Sequence, residues 1–269
     1  MGSQSDLTLF FFVFPVKNTP FTGFFGILIP CTFVGIKLVE MSGNVYLFLI
    51  GLSLVCSIGY LLKAKNNKMQ GHSIILGILV FVLIFESLGS YTASLKINNS
   101  LLYNVCWVYL ESLLLVLYFY QSEKSGPFKK KIIYAVSILF GWGIVNSVFF
   151  QPITTGFQFY SFLPNTLFIL FLCVRFLLQL LNLQIFKDWN LIAVPHFWIS
   201  TAILFFYVEA LLVFGLYQFS PELVIDNVAI FFGFNRMMAA LMYLIFGFSF
   251  YFPSISKKIG NPGNNIALL

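Results

Sequence analysis

Long uninterrupted apolar runs alternate along this chain with short polar connectors. Seven of the runs, 44–63, 71–94, 100–120, 131–151, 158–181, 190–218 and 227–252, approach or exceed the roughly 20 residues that carry a helix across a bilayer. The longer ones are accommodated by tilt. None shows the alternating apolar and polar positions of a barrel strand, so a transmembrane β-barrel is excluded. The pattern predicts an all-α fold, a polytopic transmembrane helical bundle with a seven-span core over 44–252. Upstream, 7–16 is apolar but short, and Pro15 and Pro20 close it off, which reads as an interfacial or re-entrant piece. Residues 21–40 are long enough to cross, with a kink at Pro30. Residues 1–43 thus form an N-terminal unit with an extra span, and 253–269 form a C-terminal tail.

Composition agrees: 59% of the 269 residues are hydrophobic, 35 are Phe and only 9% are charged, where a soluble domain carries about a quarter. The net charge of +6 would suit a nucleic-acid partner. The lysines, however, sit at the ends of apolar runs, so the expected partner is the lipid bilayer and no nucleic acid. Lys63, Lys65 and Lys68 share one connector, Lys124, Lys129, Lys130 and Lys131 lie two spans on, then Lys187, then Lys257 and Lys258. The alternate connectors hold Lys96, nothing basic over 151–156, and the acidic Glu222 and Asp226. By the positive-inside rule the lysine-rich end and the C-terminus are cytoplasmic.

Several chemistries find no support. There is no HExxH for a metalloprotease, and no GxSxG or intraspan Ser–Lys pairing for a serine hydrolase. The last span holds no lysine for a retinal Schiff base, so retinal is excluded. Cys31, Cys56, Cys106 and Cys173 lie within apolar runs without CxxC spacing and read as inert thiols. His72 and His196 stand alone at span ends and read as interfacial anchors. No catalytic residue, metal site or cofactor is expected.

The informative residues are the ionisable ones inside spans: Glu86, Glu111, Arg175, Glu209 and Arg236. A charge in lipid needs a partner, a proton or a water-filled cavity. Counted from the outer span ends at 1.5 Å per residue, Glu86 lies about 12 Å deep, Glu111 about 17 Å, and Glu209 and Arg236 about 14 Å. Four charges from four helices fall in one outer-half layer, while Arg175 lies nearer the cytoplasmic side. Ser90 sits one turn from Glu86, and Asn104, Trp107 and Glu111 follow at spacings that share a face of an α-helix. Asn235 precedes Arg236. The layer is either a registry-fixing network, with Arg236 clamped by Glu86 and Glu209, or a pocket for a small polar or cationic ligand. Three carboxylates to one arginine leave one proton held or one cation bound.

The stretch ESLGSYTASLKINNSLLYNVCWVYLE, with Glu86, Asn98, Asn99, Leu102, Tyr103 and Glu111, resembles the most recognisable part of a family of small seven-helix membrane proteins common in Bacteroidota. HFWISTAILFFYVEALLVF, with Tyr207, is similar to a later segment of that family; Glu209 and residues 1–40 fall outside the pattern. The resemblance covers about 44–252 and implies a seven-span core and a bacterial inner-membrane home. It brings no activity with it. The expected function is non-enzymatic: a sensor-like protein or a subunit of a membrane complex, whose Glu/Arg centre binds a small ligand or a partner helix. A secondary transporter using the intramembrane glutamates as a proton or cation site is the alternative.

Overall fold

The computed structural model describes residues 42–64, 69–182 and 193–259. Residues 1–41 (nearly all of the N-terminal unit), Lys65, Lys68 and Lys187, the start of the 190–218 run and residues 260–269 lie outside the described residues. Helices α1 (Gly43–Ala64) and α2 (His72–Ser94) are followed by a composite third span. That span runs from α3 (Ser100–Tyr103) through a π-helix (Asn104–Glu111) into α4 (Ser112–Ser122). Then come α5 (Gly126–Phe149), α6 (Phe159–Asn182), α7 (Pro195–Phe219), the short α8 (Pro221–Asp226) and α9 (Val228–Phe248). A 3₁₀ turn (Ser249–Tyr251) leads from α9 into α10 (Phe252–Ile259). Among the described residues there is no strand, and seven helices are long and apolar enough to cross a membrane.

Local chemistry moves some boundaries from those expected. The fourth span starts at Gly126, ahead of the first apolar residues, because Pro127 is pre-organised for a first helical turn and Lys129 N–H bonds Ser125 C=O. Lys129, Lys130 and Lys131 therefore lie inside the helix. The last span runs on past 252, so the first residues of the expected tail are helical.

More than half of the α7 span is buried (56%), against 17% for α5. α7 packs between α6 and α9, α1 lies against α9 and α2, and α5 rests at the periphery on α4 and α6. The tightest approach joins α1 to α9 at Gly247, where any Cβ would collide with the Ser53 backbone carbonyl. Ser53 Oγ there donates to Tyr243 C=O. An outward belt of Val, Ile, Leu and Phe, dense on α5 (Ile133, Ile138, Phe140, Val148, Phe149), completes an integral, multi-pass membrane protein that has the bilayer as its solvent.

Candidate functional site

Glu86, midway along α2, is the anchor. Tyr46 Oη of α1 donates to one of its carboxylate oxygens at 3.1 Å and Tyr103 Oη of α3 donates to the other at 3.0 Å. The second bond depends on Gly89: a Cβ there would lie 2.5 Å from Tyr103 Oη, so only glycine lets the phenol lie flat against α2. Arg236 of α9 is within electrostatic reach of Glu86, Tyr46 and Tyr103. These four side chains line two neighbouring cavities of about 20 Å³ each. One extends to Ser90, Leu47 and Gly43, the first residue of α1, and so reaches the lysine-poor end of the bundle. The other runs inward to Trp107, Asn235, Ala239 and Tyr243.

Tyr243 is the link to the second glutamate. Its hydroxyl donates to Glu111 Oε1 at 2.8 Å, and Glu111 is wholly buried at the end of the π-helix, with no hydrogen-bond partner on Oε2. The Asn235 side-chain carbonyl, 5% exposed and on the inner cavity, is likewise without a partner. Glu86, Ser90, Trp107, Asn235 and Arg236 thus converge on the paired cavities, and Glu111 joins them through Tyr243.

Two expected members are placed elsewhere. Asn104 turns away from the centre and clamps the 151–158 connector: its amide donates to Ile153 C=O (2.8 Å) and Gly156 C=O (2.7 Å), and its side-chain carbonyl accepts from Gln158 N–H (3.1 Å). The cause is the π-helix, whose i→i+5 turns break the α-helical spacing that would align Asn104, Trp107 and Glu111. The carbonyls along it are met by side chains, Val108 C=O by Asn165 Nδ2 (3.1 Å) and Trp107 C=O by Ser112 Oγ (3.5 Å). Glu209 is not clamped by Arg236; neither of its carboxyl oxygens has a hydrogen-bond partner. Glu209 is itself buried, 8% exposed, although its helical neighbours Phe205 and Leu212 are 62% and 64% exposed.

The histidines are also not surface anchors. His72 is wholly buried, bonded to Ser57 Oγ at 3.1 Å and packed on the rings of Tyr60 and Phe250. His196 Nδ1 meets Tyr118 Oη at 2.6 Å. Gly71, at φ +81°, brings the start of α2 against both Tyr118 and His196. Trp107 stacks among Phe157, Phe162, Phe206 and Phe214, so it packs the core as well as lining the cavity.

At the lysine-rich end, Arg175 is paired. Its Nε lies 3.1 Å from Glu123 Oε2, and its guanidinium carbon 3.6 Å from the Phe128 ring centroid. Glu123, just beyond α4, also accepts from Ser125 N–H (2.9 Å) and Gln179 Nε2 (3.3 Å). Burial by itself would raise the Glu123 carboxyl, but the Ser125 N–H, Arg175 and Gln179 outweigh it and hold the group below the usual carboxylate range. Sequence reasoning passed over Glu123, whose signal was the run Glu-Lys-Ser-Gly-Pro beside a helix end. It also passed over Tyr46 as a site residue; a buried phenol seeks a partner for its hydroxyl, and that was the signal there.

Among the described residues no group of three or more His, Cys, Asp or Glu side chains is disposed to hold a metal ion. No family model, curated protein or solved structure matches this chain. The class is therefore set by the helices alone, an integral seven-helix bundle with a buried carboxyl, tyrosine and arginine centre.

Proposed function

We propose that this protein is a non-enzymatic sensor-like membrane protein, or a subunit of a membrane complex, that receives a small polar ligand or a partner's polar group at the Glu86–Arg236 centre. One observation carries the reading: the cavity reaching Gly43 and the cavity reaching Tyr243 share Tyr46, Glu86, Tyr103 and Arg236. A polar group arriving at the lysine-poor end thus meets an acid, a base and two phenols at once. With the lysines facing the cytoplasm, that end faces outward, in keeping with a bacterial inner membrane and a cytoplasmic C-terminus. On this reading the signal passes to another membrane protein.

Purification from native membranes in mild detergent tests the proposal. A stoichiometric partner or bound small molecule is expected, weakened about tenfold by Arg236→Gln, the equivalent of one lost charge-assisted bond of about 1.4 kcal/mol. A second reading, proton- or cation-coupled transport, draws on the continuity from Glu86 through Tyr243 to Glu111. A lone monodisperse protein that drives pH-dependent uptake in proteoliposomes, abolished by Glu111→Gln, replaces the first reading with the second.

A further inference from the structure

The two glutamates of the centre, Glu86 half-buried and Glu111 wholly buried, are treated unequally by their surroundings. Glu86 accepts from two phenols, one on each oxygen, and has Arg236 within electrostatic reach. Glu111 accepts from one phenol, Tyr243, and its second oxygen has no partner. Of the other groups acting on Glu111, Tyr207 and Cys106 are neutral side chains and Glu86 is acidic. A carboxylate is best held where donors and a cation surround it, and an ionised group in an apolar interior costs far more than a neutral acid with one unmet hydroxyl.

The space between the two acids is polar. The inner cavity touches Glu86, Tyr46, Tyr103, Arg236 and Tyr243, and the unpartnered Asn235 carbonyl lies on it. At about 20 Å³ it is the size of one water. The two to four polar partners a buried water requires are present, and Asn235 gains the donor it lacks. A water linking Glu86 to Tyr243 fits that volume.

We propose that Glu86 and Glu111 are the two ends of an internal proton relay, joined by one water in the inner cavity and by the Tyr243 hydroxyl. At rest Glu86 is the carboxylate, and Glu111 carries the proton. When an arriving group draws Arg236 away from Glu86, the Tyr243 hydroxyl turns its O–H from Glu111 to the water and the proton runs back: Glu111 gives its proton to Tyr243 Oη, Tyr243 passes its own to the water, and the water protonates Glu86. One O–H bond breaks at Glu111 and one forms at Glu86, one breaks and one forms at Tyr243 and at the water, which both end neutral, and the charge moves from Glu86 to Glu111. Occupancy at the lysine-poor end thereby becomes a charge in the middle of the bundle. The relay rests on the centre being the functional site proposed above.

Infrared spectroscopy of the full-length protein in lipid, followed through the protonated carboxyl stretch, tests it. At neutral pH a band lost in Glu111→Gln and retained in Glu86→Gln is expected, distinct from that of Glu209, whose oxygens also have no partner and whose band is identified by its loss in Glu209→Gln. Arg236→Gln is expected to add acid signal from Glu86. Tyr243→Phe removes a single hydroxyl, conserves the packing, and is expected to slow hydrogen–deuterium exchange of the Glu111 acid about tenfold, the kinetic equivalent of one lost link of about 1.4 kcal/mol. Absence of a band that depends on Glu111, or exchange in Tyr243→Phe as fast as in wild type, overturns the relay. If Glu111→Gln does not fold, the Tyr243→Phe exchange rate still decides. Failure of the relay with Arg236-dependent capture intact leaves the proposed function standing; failed capture with a working relay removes the receptor role alone.

Discussion

Two halves of this bundle each set an arginine beside a glutamate, buried in one case and half-buried in the other, and they complete the arrangement differently. At the lysine-rich end Glu123 is saturated: Arg175, Gln179 and the Ser125 N–H all reach it, and the Phe128 ring covers the guanidinium. No cavity among those described touches it. Around Glu86 two phenols donate at 3.0 and 3.1 Å, two cavities adjoin the carboxylate, and the nearby Asn235 carbonyl and Glu111 Oε2 are without partners. Saturation fixes a helix end and stores stability in one state. Incomplete satisfaction costs stability and leaves groups ready to answer to something else. The same residue pair thus acts as a rivet in one place and, on the function proposed above, as a receptor in the other.

Mutations can break the comparison. The largest effect is expected for Glu123→Ala, which strands Arg175 and Gln179 and leaves the Ser125 N–H unmet. It should lower stability by about 2–3 kcal/mol, a charge-assisted bond removed at a partly exposed site, read as a fall in melting temperature in detergent. Glu86→Gln, which keeps the shape and two acceptor or donor positions, should cost about 1 kcal/mol or less; a larger loss than Glu123→Ala would reverse the roles of the two sites. The smallest effect is the pH response. Because Glu123 is held below the ordinary carboxylate value of about 4.3, its contribution is fully present above that value and is lost as pH falls through its lower folded value. The wild type should therefore lose melting temperature on acidification below about pH 4.3 more steeply than Glu123→Gln, and parallel curves would remove Glu123 from the account.

The fold was largely legible because lipid imposes a single rule on the backbone: every span must be a continuous helix of bilayer length. Apolar runs alone therefore placed all seven helices. The polar centre was half legible. Glu86 and Arg236 were bound to be noticed, since a charge in lipid demands an explanation, and in the structure both line the same two cavities. Asn104 was misplaced because spacing arguments assume 3.6 residues per turn, and the third span abandons that pitch from Asn104 to Glu111. Glu209 was misjudged because depth says nothing about which way a helix is rotated. The partners that define the site, Tyr46, Tyr103 and Tyr243, are three of 13 tyrosines in a sequence rich in aromatics, and composition does not distinguish them from packing residues.

The wide-pitched stretch of the third span also bears on how this protein can change over time. One residue deleted between Asn104 and Glu111 would let the span close into ordinary α-helix, which is locally favourable. Each wide i→i+5 turn holds about one residue more than an α-turn, so the deletion removes the surplus and leaves both flanks close to their present faces. Closing the stretch at its full eight residues is what would turn the far side, by about 100° for a surplus residue taken into the α pitch, and either Asn104 would release the 151–158 connector or Glu111 would leave Tyr243. Length and pitch are therefore tied here: a lineage that keeps all eight residues must keep the wide turn, and one that loses a residue can return to ordinary helix with its centre in place.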